Sequence, residues 1–132
     1  RMMAVFANKG NLVTPYIVRA IDGQDISNFK KRVVALPLKE SNLSYIREGL
    51  RNVVSEPHGT ANILSGLTVS VAGKTGTAQV WRGLSHGWFA GFLPFKNPKF
   101  VICVFLEHGG SSQAACMLTK QIIEAMAQQG LI

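Results

Sequence analysis

The sequence predicts an α+β fold in which helices cover an antiparallel sheet of three strands. Three strand-like segments follow one another between residues 67 and 106, separated by short connections, and helical periodicity appears on either side of them. Short connections favour antiparallel neighbours, because a parallel pair needs a crossover of about a dozen residues or more. With 132 residues the chain is long enough for one domain with a core and too short for two ordinary ones.

The N-terminal segment is predicted to contain the end of a helix followed by a hairpin. Residues 2–8 have helical character, and Gly10 is placed to stop the helix. Residues 16–21 and 32–36 predict two short strands, joined by a polar stretch and closed by Pro37. We expect these two strands to pair at the periphery of the domain.

An amphipathic helix is predicted next. Ser41 or Asn42 is placed to cap its N terminus, and Pro57 is placed to end it. Its apolar residues follow the spacing of one helix face, so this face must pack against a core. They are Leu43, Ile46, Leu50, Val53 and Val54.

Three strands and a closing helix complete the predicted fold. Residues 67–80 and 87–94 predict the first two strands. Residues 100–106 are almost continuously apolar, which predicts a strand buried on both faces. A final helix over residues 114–129 has an apolar face that should lie across the sheet. That face is formed by Ala115, Leu118, Ile122 and Ala125 or Met126.

The composition argues against several classes of protein. The chain has 14 Lys and Arg against 7 Asp and Glu, a net charge of +7. These basic residues are dispersed and form only one run, Lys30-Lys31-Arg32, which argues against nucleic-acid binding. The longest apolar run, residues 100–106, is far shorter than the ~20 residues of a membrane span. Residues 1–10 lack the features of a signal peptide, and we expect them to come from the interior of a longer sequence.

The most informative segment runs from Val71 to Val80. Its Gly73-Lys74-Thr75 triplet looks like the end of a phosphate-binding P-loop, but that motif needs a glycine five places before Gly73, where the chain has Thr68. The segment also continues as a strand where a phosphate loop would enter a helix. Nucleotide binding is therefore not expected.

Interpreted as the edge of a sheet, the same segment can bind an extended peptide. Residues two apart on a strand face the same side, so Thr75 and Thr77 can both present backbone N–H and C=O groups. Gly73 and Gly76 remove side chains that would block close approach. Lys74 adds a positive charge, and the two hydroxyls can donate to a carboxylate. These features in register outweigh the alternative that Lys74 is an ordinary exposed lysine.

These motifs resemble the C-terminal part of the transpeptidase domain of class B penicillin-binding proteins, most closely the elongation-specific penicillin-binding protein 2 group. The Lys-Thr-Gly triplet is one signature of penicillin-binding proteins and serine β-lactamases. The resemblance covers nearly the whole chain except residues 23–39. It rests on Gly73 to Gln79, then His86, Pro94, Asn97-Pro98-Lys99 and Glu107-His108-Gly109-Gly110, and upstream on Ala7 to Gly10, Pro15 and Pro57 to Ala61.

The resemblance implies a fold and four site residues. Residues 1–132 would be the C-terminal portion of a single transpeptidase domain, supplying three strands of a larger five-stranded sheet of the penicillin-binding-protein and serine β-lactamase type. Lys74 would join the hydrogen-bond network of the active site and favour the substrate carboxylate. Thr75 and Thr77 would bind that carboxylate, and the backbone N–H of Thr77 would be one oxyanion-hole donor. Gly76 would permit close backbone approach.

The nucleophile of the family is not expected within these residues. In the family it lies in a Ser-x-x-Lys motif, followed by Ser-x-Asn, and both lie far upstream of Lys-Thr-Gly. Ser27-Asn28-Phe29-Lys30 fits the first motif by letter but lies in a polar turn. Catalysis needs the serine at a helix N terminus with the lysine one turn along the same face. We interpret this tetrapeptide as a chance match and expect the chain alone to be inactive.

The three histidines, His58, His86 and His108, have no metal-type spacing. We expect each on the surface or in a loop, with His86 beside the proposed site. No metal and no cofactor is expected.

The remaining aromatic, acidic and thiol side chains are assigned structural roles. Trp81 and Trp88 are expected to pack, and Trp81 alternatively to form a rim for peptide or glycan. Glu107 is expected to pair or to cap. Cys103 and Cys116 are expected to be core thiols.

The resemblance implies that the intact domain is a peptidoglycan D,D-transpeptidase at the periplasmic face of the bacterial inner membrane. Its implied partners are stem peptides ending in D-Ala-D-Ala, β-lactam antibiotics, the preceding part of the same domain and membrane proteins of the elongation machinery. Two alternatives remain open. A serine β-lactamase would add a deacylating water site, and a β-lactam sensor domain would be acylated without turnover.

Overall fold

The computed structural model describes residues 1–18, 20–25 and 33–132. Its helices are α1 (Met2–Ala7), α2 (Glu40–Ser55) and α3 (Ser112–Gln128), with a short 3-10 helix at Asn62–Leu64. Its strands are β1 (Asn11–Val13), β2 (Ala20–Ile21), β3 (Gln24–Asp25), β4 (Val33–Ala35), β5 (Ala72–Ala78), β6 (His86–Leu93) and β7 (Phe100–Leu106).

The central sheet is the predicted antiparallel meander, in the order β5-β6-β7. Thr75 lies opposite Phe89, and Phe89 lies opposite Val104, so their side chains share one face of the sheet. The α+β class and the three strands are therefore confirmed.

The pairing of the N-terminal strands differs from the prediction. The strand at residues 33–35 pairs with Asn11–Val13, which was not predicted as a strand, and not with residues 16–21. Gly10, with φ of 92°, takes the chain out of α1 directly into β1. Residues 20–21 instead pair with residues 24–25.

A two-residue turn explains that second pairing. Asp22 and Gly23 have φ values of 48° and 77°, the left-handed conformation that a tight hairpin turn requires. An Asp-Gly pair is a sequence signal for such a turn, so this small hairpin could have been predicted. The tetrapeptide Ser27 to Lys30 lies outside the described residues.

Helix α2 begins earlier than predicted. Lys39 is its N-cap and makes no side-chain capping bond, so the prediction of a Ser41 or Asn42 cap is wrong. The helix ends at Ser55, two residues before Pro57, as expected. Leu43, Leu50 and Val54 are buried, which confirms most of the predicted apolar face, whereas Ile46 is 42% exposed.

Helices pack on both faces of the sheet. On one face α3 covers Phe89, Leu93 and Val104 through its buried residues Ala115, Cys116 and Ile123. On the other face Met3 of α1 and Leu50 of α2 pack against Ala72 and Phe92. The predicted position of the last helix across the sheet is confirmed.

Arg47 of α2 ties three segments together on that second side. Its guanidinium donates to the carbonyl oxygens of Phe6 and, at 2.7 Å, of Phe95. It also lies 4.9 Å from the centre of the Phe92 ring, within the range of a cation–π contact. These contacts fix α1 and the β6–β7 connection against α2.

Strand β7 is not buried on both faces, contrary to the prediction. Val104 is buried, but Val101 and Phe105 on the opposite face are 44% and 43% exposed. On that side α2 packs mainly against β5 and α1 against β6, so neither covers β7 fully. Cys103 shares the uncovered face and is exposed, so the prediction of a core thiol is wrong for Cys103 and confirmed for Cys116.

Across the described parts of the chain, the helices are too short or too polar to span a membrane.

Candidate functional site

The Lys-Thr-Gly segment lies on β5, at one edge of the central sheet. Among the described residues β5 pairs only with β6, and its other edge has no strand beside it. The site therefore has the edge position that the sequence predicted. A free edge leaves backbone N–H and C=O groups available to an extended ligand.

The hydroxyl of Thr75 is buried and bonded within the chain. Thr75 is 8% exposed, and its Oγ1 lies 2.7 Å from Oγ1 of Thr60. Thr60 itself is exposed and lies between α2 and the short 3-10 helix. The Gln113 side-chain amide of α3 donates to the Thr60 carbonyl oxygen across 3.2 Å.

The hydroxyl of Thr77 faces the start of α3. Ser112, the first residue of that helix, donates its backbone N–H to Thr77 Oγ1 across 3.3 Å. Thr77 is exposed. Because a hydroxyl that accepts one bond keeps its own hydrogen, Thr77 can still donate to a ligand.

Lys74 projects from the opposite face of β5. It lies opposite Ala90 in the strand pairing and is exposed. Its Nζ donates to the carbonyl oxygen of Thr75 across 2.8 Å. An ammonium carries three hydrogens, so two remain for other acceptors. The structure thus brings Lys74, Thr75 and Thr77 together at one strand edge.

Gly73 and Gly76 serve different purposes. A Cβ on Gly73 would lie 2.5 Å from Cζ of Phe89 and 2.6 Å from the Ala90 carbonyl oxygen, so this glycine is required by internal packing. A Cβ on Gly76 would meet the nearest atom, Cβ of Trp88, at 3.4 Å, an ordinary contact. The fold therefore does not require a glycine at position 76.

Two of the three histidines form a pair close to the end of β5. His86 Nδ1 accepts the backbone N–H of His108 across 2.9 Å, and the two ring centres are 4.9 Å apart. Because Nδ1 accepts this bond, the neutral His86 ring carries its hydrogen on Nε2. His58 and His108 are exposed, as predicted, whereas His86 begins β6 and is partly buried. The described residues contain no cluster of three metal-ligating side chains.

Trp88 is packed as predicted, whereas Trp81 and Glu107 are exposed. Trp88 packs against Phe105 with ring centres 4.2 Å apart, as predicted. Trp81 is 95% exposed, so the prediction that it packs is wrong within the described chain. Glu107 is exposed, and among the described residues its carboxylate makes neither an ion pair nor a hydrogen bond.

The sequence reasoning missed Thr60, Ser112 and Gln113. Thr60 falls in the Pro57 to Ala61 stretch that carried part of the family resemblance, but no role was assigned to it. The contacts of all three with β5 or with one another join segments distant in sequence, which no local pattern indicates.

Known proteins resemble this chain over nearly its full length. Residues 1–127 match the family described as the penicillin binding protein transpeptidase domain. Peptidoglycan D,D-transpeptidase MrdA of Haemophilus influenzae is 29% identical over 96% of this chain. The structure of PBP2 of Pseudomonas aeruginosa in complex with WCK 5153 covers 94% of the chain with a TM-score of 0.78 and 34% identity. PBP2 of Helicobacter pylori, in complex with MreC, covers 98% with a TM-score of 0.79 and 30% identity.

The match extends over only part of each relative. The chain spans 23% of the Haemophilus protein, 27% of the Pseudomonas chain and 24% of the Helicobacter chain. The domain match nevertheless includes all but the last five residues of this sequence, from 128 to 132. The chain therefore belongs to the penicillin-binding protein transpeptidase family.

Proposed function

We propose that residues 1–132 are the C-terminal part of a peptidoglycan D,D-transpeptidase domain and form the wall that binds the substrate carboxylate. The observation that carries this proposal is the free edge of β5, which presents Lys74, Thr75 and Thr77 together. The family match and the named transpeptidases among the relatives favour this function over a β-lactamase or a sensor domain.

The reaction of the complete domain is acyl transfer. A serine attacks the penultimate D-Ala carbonyl of a stem peptide, and its proton passes to the leaving amine as the terminal D-Ala departs. An amine of a neighbouring strand then attacks the acyl-serine ester, the bond to the serine oxygen breaks, and a proton of the amine passes to that oxygen as the cross-linked peptide is released. A β-lactam enters at the first step, and its carboxylate takes the place of the D-Ala carboxylate.

Each site residue of β5 has a part in this reaction. The hydroxyls of Thr75 and Thr77 donate to the carboxylate, and Lys74 favours its negative charge. The backbone N–H of Thr77 donates to the oxygen that becomes negative in the tetrahedral intermediate. Loss of one such donor costs about 3–4 kcal/mol of transition-state stabilisation. Gly76 keeps the strand edge accessible to the substrate.

The nucleophile comes from a part of the domain outside these residues. The chain spans about a quarter of its relatives, which leaves ample sequence for a Ser-x-x-Lys helix. Strand β7 has a free edge in the described chain and an uncovered apolar face at Val101 and Phe105. Two further strands added at this edge would complete a five-stranded sheet. The 132 residues alone are then inactive.

The cellular setting follows from the same proposal. The complete protein acts on stem peptides in the cell envelope, at the periplasmic face of the inner membrane, and is a target of β-lactams. The Helicobacter relative was solved with MreC, which supports a partner from the elongation machinery for this protein as well.

Labelling with fluorescent penicillin tests the proposal. The complete protein should be labelled, and the isolated 132 residues should not. Lys74→Ala should lower the labelling rate of the complete protein by roughly a hundredfold, as for loss of a strong active-site donor. Lys99→Ala provides a matched control, because Lys99 is also exposed but lies directly before β7, the strand at the opposite edge of the sheet from β5. Unchanged labelling of Lys74→Ala would contradict the proposed role of β5.

A further inference from the structure

Thr60 contacts the proposed carboxylate site without lying on β5. Its hydroxyl oxygen lies 2.7 Å from that of Thr75, a normal distance for a hydrogen bond between hydroxyls. Thr75 is 8% exposed, so the Thr60 hydroxyl is a principal polar neighbour of a hydroxyl with little access to water. The orientation of the Thr75 hydroxyl therefore depends on Thr60.

The pair retains one hydrogen for a ligand. Two hydroxyls bring two hydrogens and share one bond, so one hydrogen stays free. When Thr60 donates to Thr75, the free hydrogen is that of Thr75, which can point at a carboxylate. A hydroxyl that accepts one bond becomes a better donor in the next, because the bonds of a chain polarise one another. The negative charge of the carboxylate favours the arrangement in which Thr60 donates to Thr75 and Thr75 donates to the carboxylate.

The backbone around Thr60 is held in place from two sides. Gln113 of α3 donates to the Thr60 carbonyl oxygen across 3.2 Å. The backbone N–H of the next residue, Ala61, donates to the Val53 carbonyl oxygen of α2 across 3.0 Å, and Ala61 is fully buried. Thr60 is thus fixed between two helices, as a residue that orients another side chain needs to be.

We propose that Thr60 is a positioning residue of the carboxylate wall, which acts by donating its hydroxyl hydrogen to Thr75 so that Thr75 donates to the substrate carboxylate. The inference rests on the proposed function, since it requires that Thr75 binds the carboxylate. Thr60 itself does not touch the substrate in this arrangement.

The test compares a carboxylate ligand with one that lacks the negative charge. Acylation rates of the complete protein are measured with a penicillin and with its methyl ester, and the ratio of the two rates is taken. This ratio does not depend on the fraction of folded protein, so it stays informative if a variant folds poorly. The variants are Thr60→Val, which removes the hydroxyl at constant shape, Thr60→Ser, which restores it, and Thr75→Val. Thr68→Val is the control, because Thr68 is an exposed threonine in the connection between the short 3-10 helix and β5.

We expect Thr60→Val to lower the ratio about tenfold, because it removes a hydrogen bond to Thr75, the residue that donates to the charged carboxylate. Thr60→Ser keeps a hydroxyl and should leave the ratio within about twofold of the parent value. Equal losses with penicillin and ester in Thr60→Val would show a purely structural role and overturn the inference. A lowered ratio in Thr75→Val with an unchanged ratio in Thr60→Val would overturn the inference and leave the proposed function intact. An unchanged ratio in both variants would instead contradict the carboxylate role of Thr75 itself.

Discussion

The backbone N–H of Ser112 donates to the Thr77 hydroxyl oxygen across 3.3 Å, so the strand that carries the candidate site also caps the last helix. Ser111, the N-cap residue of α3, makes no side-chain capping bond of its own. The first N–H groups of a helix need an acceptor, and Thr77 supplies one from a neighbouring strand. The stability of α3 and the geometry of the proposed site therefore depend on one hydroxyl.

Removal of that hydroxyl should affect both stability and acylation. We expect Thr77→Val to lower the free energy of unfolding by about 1 kcal/mol, the usual loss for a helix cap, and to slow acylation by penicillin. Thr77→Ser should retain both, because it keeps the hydroxyl. Urea unfolding and acylation rates of the complete protein provide the measurements. If Thr77→Val is as stable as the parent protein, Thr77 is not the cap of α3.

The two glycines that flank Lys74-Thr75 should respond differently to alanine. Gly73→Ala places a Cβ within 2.6 Å of Phe89 and the Ala90 carbonyl oxygen, and overpacking of this kind costs about 1–3 kcal/mol of stability. Gly76→Ala meets only an ordinary contact at 3.4 Å, so its stability should stay within about 0.5 kcal/mol of the parent.

The acylation rate should be sensitive to Gly76, although the stability of the protein is not. We expect Gly76→Ala to slow acylation by about tenfold or more, because the substrate is displaced from its reactive position. The slower reaction would occur in a protein of normal thermal stability. A Gly76→Ala variant with parental acylation rates would show that close approach at position 76 is not needed.

The two cysteines should differ in reactivity towards a maleimide. Cys103 is exposed in the isolated chain, so it should react rapidly. Burial raises the pKa of the Cys116 thiol, so this thiol stays protonated at pH 8 and should react only on unfolding. We propose that a segment of the complete domain outside residues 1–132 covers the apolar face of β7 at Val101 and Phe105, and Cys103 on that face should then be protected as well. Rapid labelling of Cys103 in the complete protein would contradict our account of that face.

Arg47 should not tolerate lysine. A lysine ammonium cannot bridge the Phe6 and Phe95 carbonyl oxygens while it lies flat against an aromatic ring, as the guanidinium does over Phe92. We expect Arg47→Lys to lower the free energy of unfolding by about 1–2 kcal/mol, the worth of one or two hydrogen bonds. Arg82→Lys is the control, because Arg82 is exposed. Equal thermal stability of the two variants would show that the Arg47 contacts contribute little.

The sequence predicts where a strand begins and ends better than it predicts which faces of the strand are buried. The bounds of β7 follow from its apolar run, and they agree with the structure at both ends. Its burial does not, because apolar residues show what a strand can bury and not which neighbour covers it. Cys103 lies on the uncovered face of β7, so its exposure could not be predicted from the sequence for the same reason.

The candidate site was predictable in its local part only. Thr75 and Thr77 share one face of β5 and Lys74 lies on the other, because alternation along a strand is a local property. The hydrogen bond between the Thr60 and Thr75 hydroxyls joins residues 15 apart in sequence. Its existence depends on how α2 packs on β5, which no short motif encodes.

Identification of the acylated residue is the most direct test of the central claim that these 132 residues supply the carboxylate wall and not the nucleophile. The complete protein would be acylated with penicillin and digested, and the modified peptide would be sequenced by mass spectrometry. We predict a single adduct on a serine that precedes Arg1, within a Ser-x-x-Lys sequence. An adduct on a serine within residues 1–132, such as Ser27, would contradict the account.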